Sequence, residues 1–400
     1  MSRRSSKSPS SSGSSEPAAT RSVVNALLEW FAREARDLPW RHTLDPYAIW
    51  VSEIMLQQTQ VKTVIPYWQR WLRELPTVRA LAAAPPEAVL KLWEGLGYYT
   101  RACNLQKAAQ QIVREHDGRF PSDFDAILGL PGVGRYTAGA ISSIAFNQPR
   151  PILDGNVIRV LTRLHGIEEN PREKATNAAL WSLAEALVQM AERVASKLSA
   201  SSPPFSISGS CSALNQSLME LGALICTPRQ PRCEACPLRR DCVALRNNRV
   251  AQLPNLGPRT VATDRRFAAF IVERDGACLV HQRPAGVVNA RLWEFPNVEL
   301  EASHEELPII AAKVLGARKA DIEPFVVIRH SITRYRISLE AYRATAASGL
   351  RAKQQIEARW LPLAELDALP FTSAHRKILR ALLRDAASPE LSPGKISGPR

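Results

Sequence analysis

Four cysteines within seventeen residues constrain this chain more than any other feature. Cys226, Cys233, Cys236 and Cys242 follow the spacing C-x6-C-x2-C-x5-C. Thiolates are soft ligands, and four of them satisfy either a tetrahedral zinc ion or a [4Fe–4S] cubane. Zinc sites usually come as two C-x2-C pairs parted by a longer loop. Here one C-x2-C is flanked by single cysteines, which favours the cluster. The other three, Cys103, Cys211 and Cys278, are scattered, so the total is an odd seven. The serine-rich start of the chain lacks the apolar core of a secretory signal, and a secreted disulfide scaffold is not expected.

The quartet sits in basic surroundings. Arg229, Arg232, Arg239, Arg240, Arg246 and Arg249 stand against only Glu234 and Asp241. A metal-pinned loop that displays arginines is a rigid surface for phosphate, so its task is positioning and not redox chemistry. The formal net charge of +14 suggests a polyanionic partner. On charge alone, nucleic acid and no particular partner stay equally open. No run reaches the roughly 18 apolar residues that a membrane helix needs. A cytoplasmic, nucleoid-associated monomer from a bacterium is expected, with an organelle transit peptide the disfavoured alternative.

Four hundred residues exceed what one core usually holds, which predicts two domains with tails. Residues 1–21 read as a disordered tail. From 22 to 245 the chain reads as helical, with apolar residues spaced near 3.6 in VVNALLEWFAREA, AVLKLWEGLGYY, NLQKAAQQIVREH and VIRVLTRLHGI. Within it, the Ser-rich patch from Ala195 to Cys211 reads as a flexible insertion between two helices. Residues 246–263 suit a linker. Segments FAAFIVERD, ACLVHQRP, PFVVIRHSI and RYRISLEAYRA then read as strands, with helices at 305–315 and 373–385. Residues 264–385 therefore form an α+β domain, and 386–400 a second tail.

Three further features carry chemistry. The segment Ile127–Gly134 (ILGLPGVG) joins two helices by a glycine-rich turn. Gly132 and Gly134 would let backbone N–H groups approach a phosphate at a helix N-terminus. An ordinary helix–helix turn is the equal alternative for this motif alone. Asp154, in PILDGNVIRVL, stands where an apolar stretch enters a helix, and read by itself it is an N-cap. Glu53 lies among Trp50, Val51, Ile54 and Met55. Desolvation of its charged form should raise its pKa and keep a proton available near neutral pH, as a general acid requires; a solvated helix acid is the alternative for this residue alone.

Taken together, LPW, SEIMLQQTQ, GLGYY, LPGVGRYTAGAI, PILDGNV, LGALIC and the quartet resemble adenine DNA glycosylases of the MutY type, in the helix-hairpin-helix glycosylase superfamily. The resemblance implies an all-α glycosylase domain with a [4Fe–4S] loop at 226–242, followed by an α+β Nudix-like domain. It implies that Glu53 protonates an extruded adenine. Asp154 would stabilise the sugar cation or attack it. Tyr136 and Asn156 would support that carboxylate and the reacting nucleotide. Gln58 and Tyr98 fall where the family inserts side chains into the base stack, with Gln57 beside them. The implied partner is duplex DNA holding adenine opposite 8-oxoguanine or guanine.

Endonuclease III, a related glycosylase/lyase, carries a lysine nucleophile where this chain has Tyr136. Schiff-base chemistry needs that lysine, so base removal without efficient strand cleavage is expected. The stretch Arg291–Pro296 (RLWEFP) resembles the approach to a Nudix box, yet ELPIIAAKVLGA lacks the acids that would hold Mg²⁺ after Glu306. A recognition module for 8-oxoguanine is expected instead of a pyrophosphohydrolase. Its loop reads Arg329-His330-Ser331-Ile332-Thr333-Arg334, where Thr333 would supply a hydroxyl and Arg334 a phosphate contact. The competing readings are an endonuclease III-like lyase and a metal-bearing DNA-binding module without chemistry.

Overall fold

The computed structural model of the chain describes residues 16–194, 206–258, 261–301, 306–332, 334–346 and 357–387. Its residues gather into two compact units that do not follow chain order. One holds residues 1–82 and 107–259, the other residues 83–106 and 260–400. The stretch expected as a first domain, 22–245, is thus interrupted, because Ala83–Gln106 joins the C-terminal residues.

Twelve α-helices precede the first strand among the described residues. They are α1 (Glu16–Glu34), α2 (Pro46–Leu56), α3 (Val61–Glu74), α4 (Val78–Ala83), α5 (Pro86–Trp93) and α6 (Thr100–His116). After them come α7 (Phe124–Leu128), α8 (Arg135–Phe146), α9 (Gly155–His165), α10 (Lys174–Arg193), α11 (Ser210–Leu224) and α12 (Val243–Arg246). The first unit is built around α11, which packs against α1, α8, α9 and α10. Twelve of its residues are buried on every side, the pattern of a central helix. Helix α1 turns Val24, Leu27, Leu28 and Phe31 to the same core, one face at helical spacing.

Four expectations need correction. Helix α1 begins at Glu16, so residues 16–21 are not tail; Pro17 suits a first turn, and Ala18 and Ala19 are strong helix formers. Ser210 and Cys211 belong to α11 and are buried, so they leave the Ser-rich patch; residues 195–205 lie outside the described ones. The helix read through GLGYY stops at Trp93, because Gly95, Gly97 and Tyr98 all take positive φ. The first half of the linker is fixed in place: Leu253 is buried and its carbonyl accepts the Nε–H of Arg163 at 2.9 Å.

The second unit carries strands β1 (Thr263–Ile271), β2 (Glu273–Arg274), β3 (Ala277–Gln282), β4 (Trp293–Glu294), β5 (Asn297–Leu300), β6 (Ala320–Ile332), β7 (Tyr335–Ala346) and β8 (Ala358–Pro362). Its C-terminal part adds helices α13 (Leu307–Leu315), α14 (Leu363–Leu366) and α15 (Ser373–Ala387). One sheet runs β5-β1-β7-β6, with β1 and β7 parallel. In the other, β3 pairs antiparallel with β2, β4 and β8. Alternation along β1 explains the layering: Ala269 and Ile271 pack with α15, Ala268 and Phe270 with α13. The α+β expectation for this part of the chain holds.

Two glycines set how closely the helices of the first unit approach the start of α9. A Cβ at Gly139 of α8 would overlap the carbonyl oxygen of Pro151, and one at Gly222 of α11 would press on Asn156. Helix propensity alone would make Gly139→Ala stabilising by about 1 kcal/mol. Contact with a backbone carbonyl reverses the sign, and a loss of about 1–3 kcal/mol is expected from overpacking. Urea denaturation of the two proteins decides between the signs.

Candidate active site

Helix α2 is buried along nearly its whole length, which carries Glu53 into the interior with only 6% of its surface exposed. The pKa of this carboxyl is pushed up to about 7 by burial, helped by the charge of Asp154 and opposed by the Tyr136 hydroxyl and Arg41. Tyr136, in the first turn of α8, donates its hydroxyl to Glu53 Oε2 at 2.8 Å. The direct hydrogen-bond partner of the Tyr136 hydroxyl is thus Glu53, in the cavity that Tyr136 also lines with Asp154.

Asp154 caps α9, and its Oδ1 accepts the Val157 N–H at 2.7 Å. Asn156 donates its amide to the other oxygen at 3.0 Å. Burial raises the pKa of this carboxyl too, against the pull of these donors and of Arg159. Both readings of Asp154 are thus compatible, since a cap fixes the carboxylate while one flank still lines a cavity.

That cavity, of about 650 Å³, is lined by Glu53, Asp154, Tyr136 and Asn156 together. Gln57, Gln58, Gly132 and Gly134 border it as well. Two acids 101 positions apart in the chain therefore share one space that a nucleotide base could enter. Gly132 takes φ +77°, which the turn between α7 and α8 requires, and no atom would crowd a Cβ at Gly134. Gln58 is held at φ +56°, a left-handed backbone that non-glycine residues rarely adopt. Tyr98 belongs to the second unit, 45% exposed and at φ +46°. Thr333 lies outside the described residues.

Sequence reasoning missed a charged cluster on the cavity wall. Arg36 donates twice to Glu220, at 2.8 and 2.7 Å, and Arg41 joins them at 3.1 Å from its Nη2. Gln216 accepts from Arg41 Nε at 3.1 Å. The available signal was Glu220 itself, a carboxylate in the apolar run LMELGALI, the same pattern that marked Glu53.

Asp154 also connects to the cysteine loop. Asn156 Oδ1 accepts Arg159 Nη2 at 2.8 Å, and Arg159 Nε donates to the Cys226 carbonyl at 2.6 Å. One helical turn on, buried Arg163 donates to the Thr227 carbonyl at 2.8 Å and reaches Cys226 Sγ at 3.4 Å. Cys226, Cys233, Cys236 and Cys242 line a common cavity of about 30 Å³, and none forms a disulfide. Among the described residues, no group of three or more His, Cys, Asp or Glu side chains is arranged to hold a metal ion. Burial pushes the Cys236 thiol up to about 12, and the neighbouring thiols add to the shift. No described helix is long and apolar enough to cross a membrane.

A family model described as HhH-GPD superfamily base excision DNA repair protein matches residues 51–186, and a NUDIX domain model matches residues 267–381. The chain is 35% identical over 412 residues to the adenine DNA glycosylase of Rattus norvegicus, covering 88% of this chain and 76% of that one. For the human adenine DNA glycosylase the identity is 34%, over 89% of this chain and 73% of the relative. The enzyme of Buchnera aphidicola subsp. Acyrthosiphon pisum is 41% identical over 54% of this chain and 57% of its own. With this site and these relatives, the chain belongs to the adenine DNA glycosylase family, whose members remove adenine from DNA in base excision repair.

Proposed function

We propose that the chain hydrolyses the N-glycosidic bond of adenine opposite 8-oxoguanine or guanine, with Glu53 as general acid and Asp154 facing the sugar. The observation that carries this reading is the meeting of both carboxyls at one cavity, Glu53 with its pKa near neutrality. Adenine leaves poorly as an anion, so its departure needs a proton. Glu53 supplies that proton, and general acid help is worth ~10²–10⁴-fold. The positive charge that then develops on the sugar is stabilised by Asp154, as in two-carboxylate glycoside hydrolysis. Tyr136 orients the acid, and Asn156 orients the capped carboxylate.

Reaching the cavity requires the base to leave the duplex. Gln58 and Tyr98 fill or widen the gap in the stack, with Gln57 beside them, and the backbone at Gly132 and Gly134 takes a phosphate. The Nudix-like part reads the opposing 8-oxoguanine, and Thr333 contributes a hydroxyl there. No lysine stands at position 136 to form a Schiff base, so strand cleavage is inefficient. The half-buried thiols of Cys226, Cys233, Cys236 and Cys242 form no disulfide and line one small cavity, and they would be the ligands of a [4Fe–4S] cluster. Held by these four thiols, such a cluster would supply a fixed anchor for the arginine-bearing loop and not redox chemistry.

A single-turnover assay on A:8-oxoguanine, A:G and thymine-glycol duplexes tests the reaction. Adenine release from the first two, with no nick until alkali is added, is expected; thymine-glycol release with strand nicking would instead make this a lyase. Glu53→Gln should lower the single-turnover rate by ~10²–10⁴-fold. In the parent protein the rate should fall as pH climbs through about 7, where Glu53 loses its proton.

The same group sets a stability expectation. The folded-state pKa of Glu53 is raised, so burial costs nothing below about pH 4, where folded and unfolded forms both hold the proton. Above pH 7 ionisation favours the unfolded chain. Glu53→Gln should therefore stabilise the protein at pH 8 by up to about 3 kcal/mol and change little at pH 4. Thermal melts at the two pH values read this out.

Purified protein should absorb visible light, and Cys236→Ser should bleach it. A colourless parent carrying zinc overturns the cluster assignment.

A further inference from the structure

The turn that carries Tyr98 lies wholly within the second unit, and its backbone is unusual. Gly95, Gly97 and Tyr98 take φ of +106°, +69° and +46° in close succession. Left-handed tyrosine persists only when its surroundings over-determine it. Part of that support is local. The Trp93 indole donates to the Gly97 carbonyl at 3.0 Å, and Arg101 Nη2 donates to the carbonyls of Leu96 and Gly97 at 3.0 and 3.1 Å. The Arg101 guanidinium also covers the Tyr98 ring, 5.7 Å from its centre.

The rest of the support comes from residues more than 270 positions later in the chain. Glu94 Oε1 accepts the backbone N–H of Phe371 at 2.8 Å and Nε of Arg376 at 2.7 Å. Tyr99 donates its hydroxyl to the Phe371 carbonyl at 3.4 Å, and Lys91 donates to the Leu369 carbonyl at 3.2 Å. Only 5% of Arg376 is exposed, and it also grips Asp367 Oδ1 at 2.8 Å. Glu94 and Arg376 are both largely desolvated, and their 2.7 Å hydrogen bond is one of several that fix each group: Lys91 and the Phe371 N–H also donate to Glu94, and Asp367 also accepts from Arg376. Both ends of the turn are thereby fixed, one by α6 and the other by the start of α15.

We infer that Glu94 and Arg376 are positioning residues that brace the Tyr98 turn, so that the Nudix-like fold governs how well Tyr98 acts on the base stack. The inference rests on the reading of Tyr98 as an inserted side chain. A wedge that must part stacked bases works only if its mounting does not yield. A soft turn would let the duplex push the ring aside, and small misplacements cost much of a rate.

The test uses the full chain and an A:8-oxoguanine duplex with 2-aminopurine beside the target adenine, whose fluorescence follows extrusion in stopped flow. Since Arg376 also holds its own domain together, Glu94→Ala is the leading variant. It should slow extrusion by about ten- to a hundredfold, as misplacement far from the chemistry can, while keeping a cooperative melt. Arg376→Lys should retain more of the extrusion rate than Glu94→Ala, since the cation remains. Tyr98→Leu should slow extrusion comparably, and adding Glu94→Ala to it should change nothing more. Glu94→Ala at the parental rate, with Tyr98→Leu slow, overturns the brace and leaves the wedge standing. Multiplying effects in the double variant also overturn the brace. An unaffected Tyr98→Leu overturns the wedge and the brace together.

Discussion

Desolvation of the Glu53 carboxyl is the constraint to which the first unit is fitted. An acid buried on an apolar helix must either lose its charge or find several donors. Glu53 has the Tyr136 hydroxyl at its Oε2, and that bond restrains the upward shift without cancelling it. Asp154 shares the cavity in a different environment. A helix N-terminus, a backbone N–H and the Asn156 amide all point at it, each favouring its ionised form. Burial raises the pKa of both carboxyls, but only Asp154 has a helix N-terminus, a backbone N–H and a side-chain amide working against that rise. The cluster of Arg36, Arg41 and Glu220 on the same wall sets two cations against one carboxylate, and the charge of Arg41 works against the rise of the Glu53 pKa.

Helix α9 transmits order from the cysteine loop to this site. Asp154 opens it, Asn156 follows, and Arg159 and Arg163 lie one turn apart on the side that meets the loop. The arginines spend their donors on carbonyls that have no helical partner, those of Cys226, Thr227, Pro228 and Leu253. A displacement of the loop would strand these guanidinium groups, so the loop position and the Asp154 position are set together. Close approach of α11 completes the arrangement, and only glycine at 222 permits it. Loop, helix and carboxylate therefore behave as one rigid piece.

How much of this was legible in the sequence follows from the range of each interaction. Glu53 could be read because its surroundings are its neighbours in the chain, and Asp154 because a cap is a local device. Strands β1, β3, β6 and β7 announced themselves by alternating or β-branched runs. Strands β4, β5 and β8 did not, and the two-residue β4 is too short to show any period. The pairing of Arg36 with Glu220 spans 184 positions and leaves no local trace. The bond between Tyr136 and Glu53 spans 83, and it too is invisible along the chain. Membership of Ala83–Gln106 in the second unit was invisible for the same reason, since its partners are distant side chains and carbonyls.

Left-handed backbone at non-glycine residues occurs at eight positions among the described residues, two of which, Gln58 and Tyr98, are proposed to meet the duplex. Gln58 and Tyr98 are both left-handed, and both follow the end of a helix, α2 in one case and α5 in the other. A helix that simply frayed there would carry its last side chains back along its own axis. A left-handed residue reverses the chain abruptly and presents its side chain at the apex of the turn. Such a conformation is unfavourable alone, and it survives through neighbours that are themselves well ordered: the buried body of α2 for Gln58, and Trp93 and Arg101 for Tyr98. The strain is thus sustained by ordered neighbours, and in the proposed role it would let uncharged side chains enter a base stack without first having to reorganise.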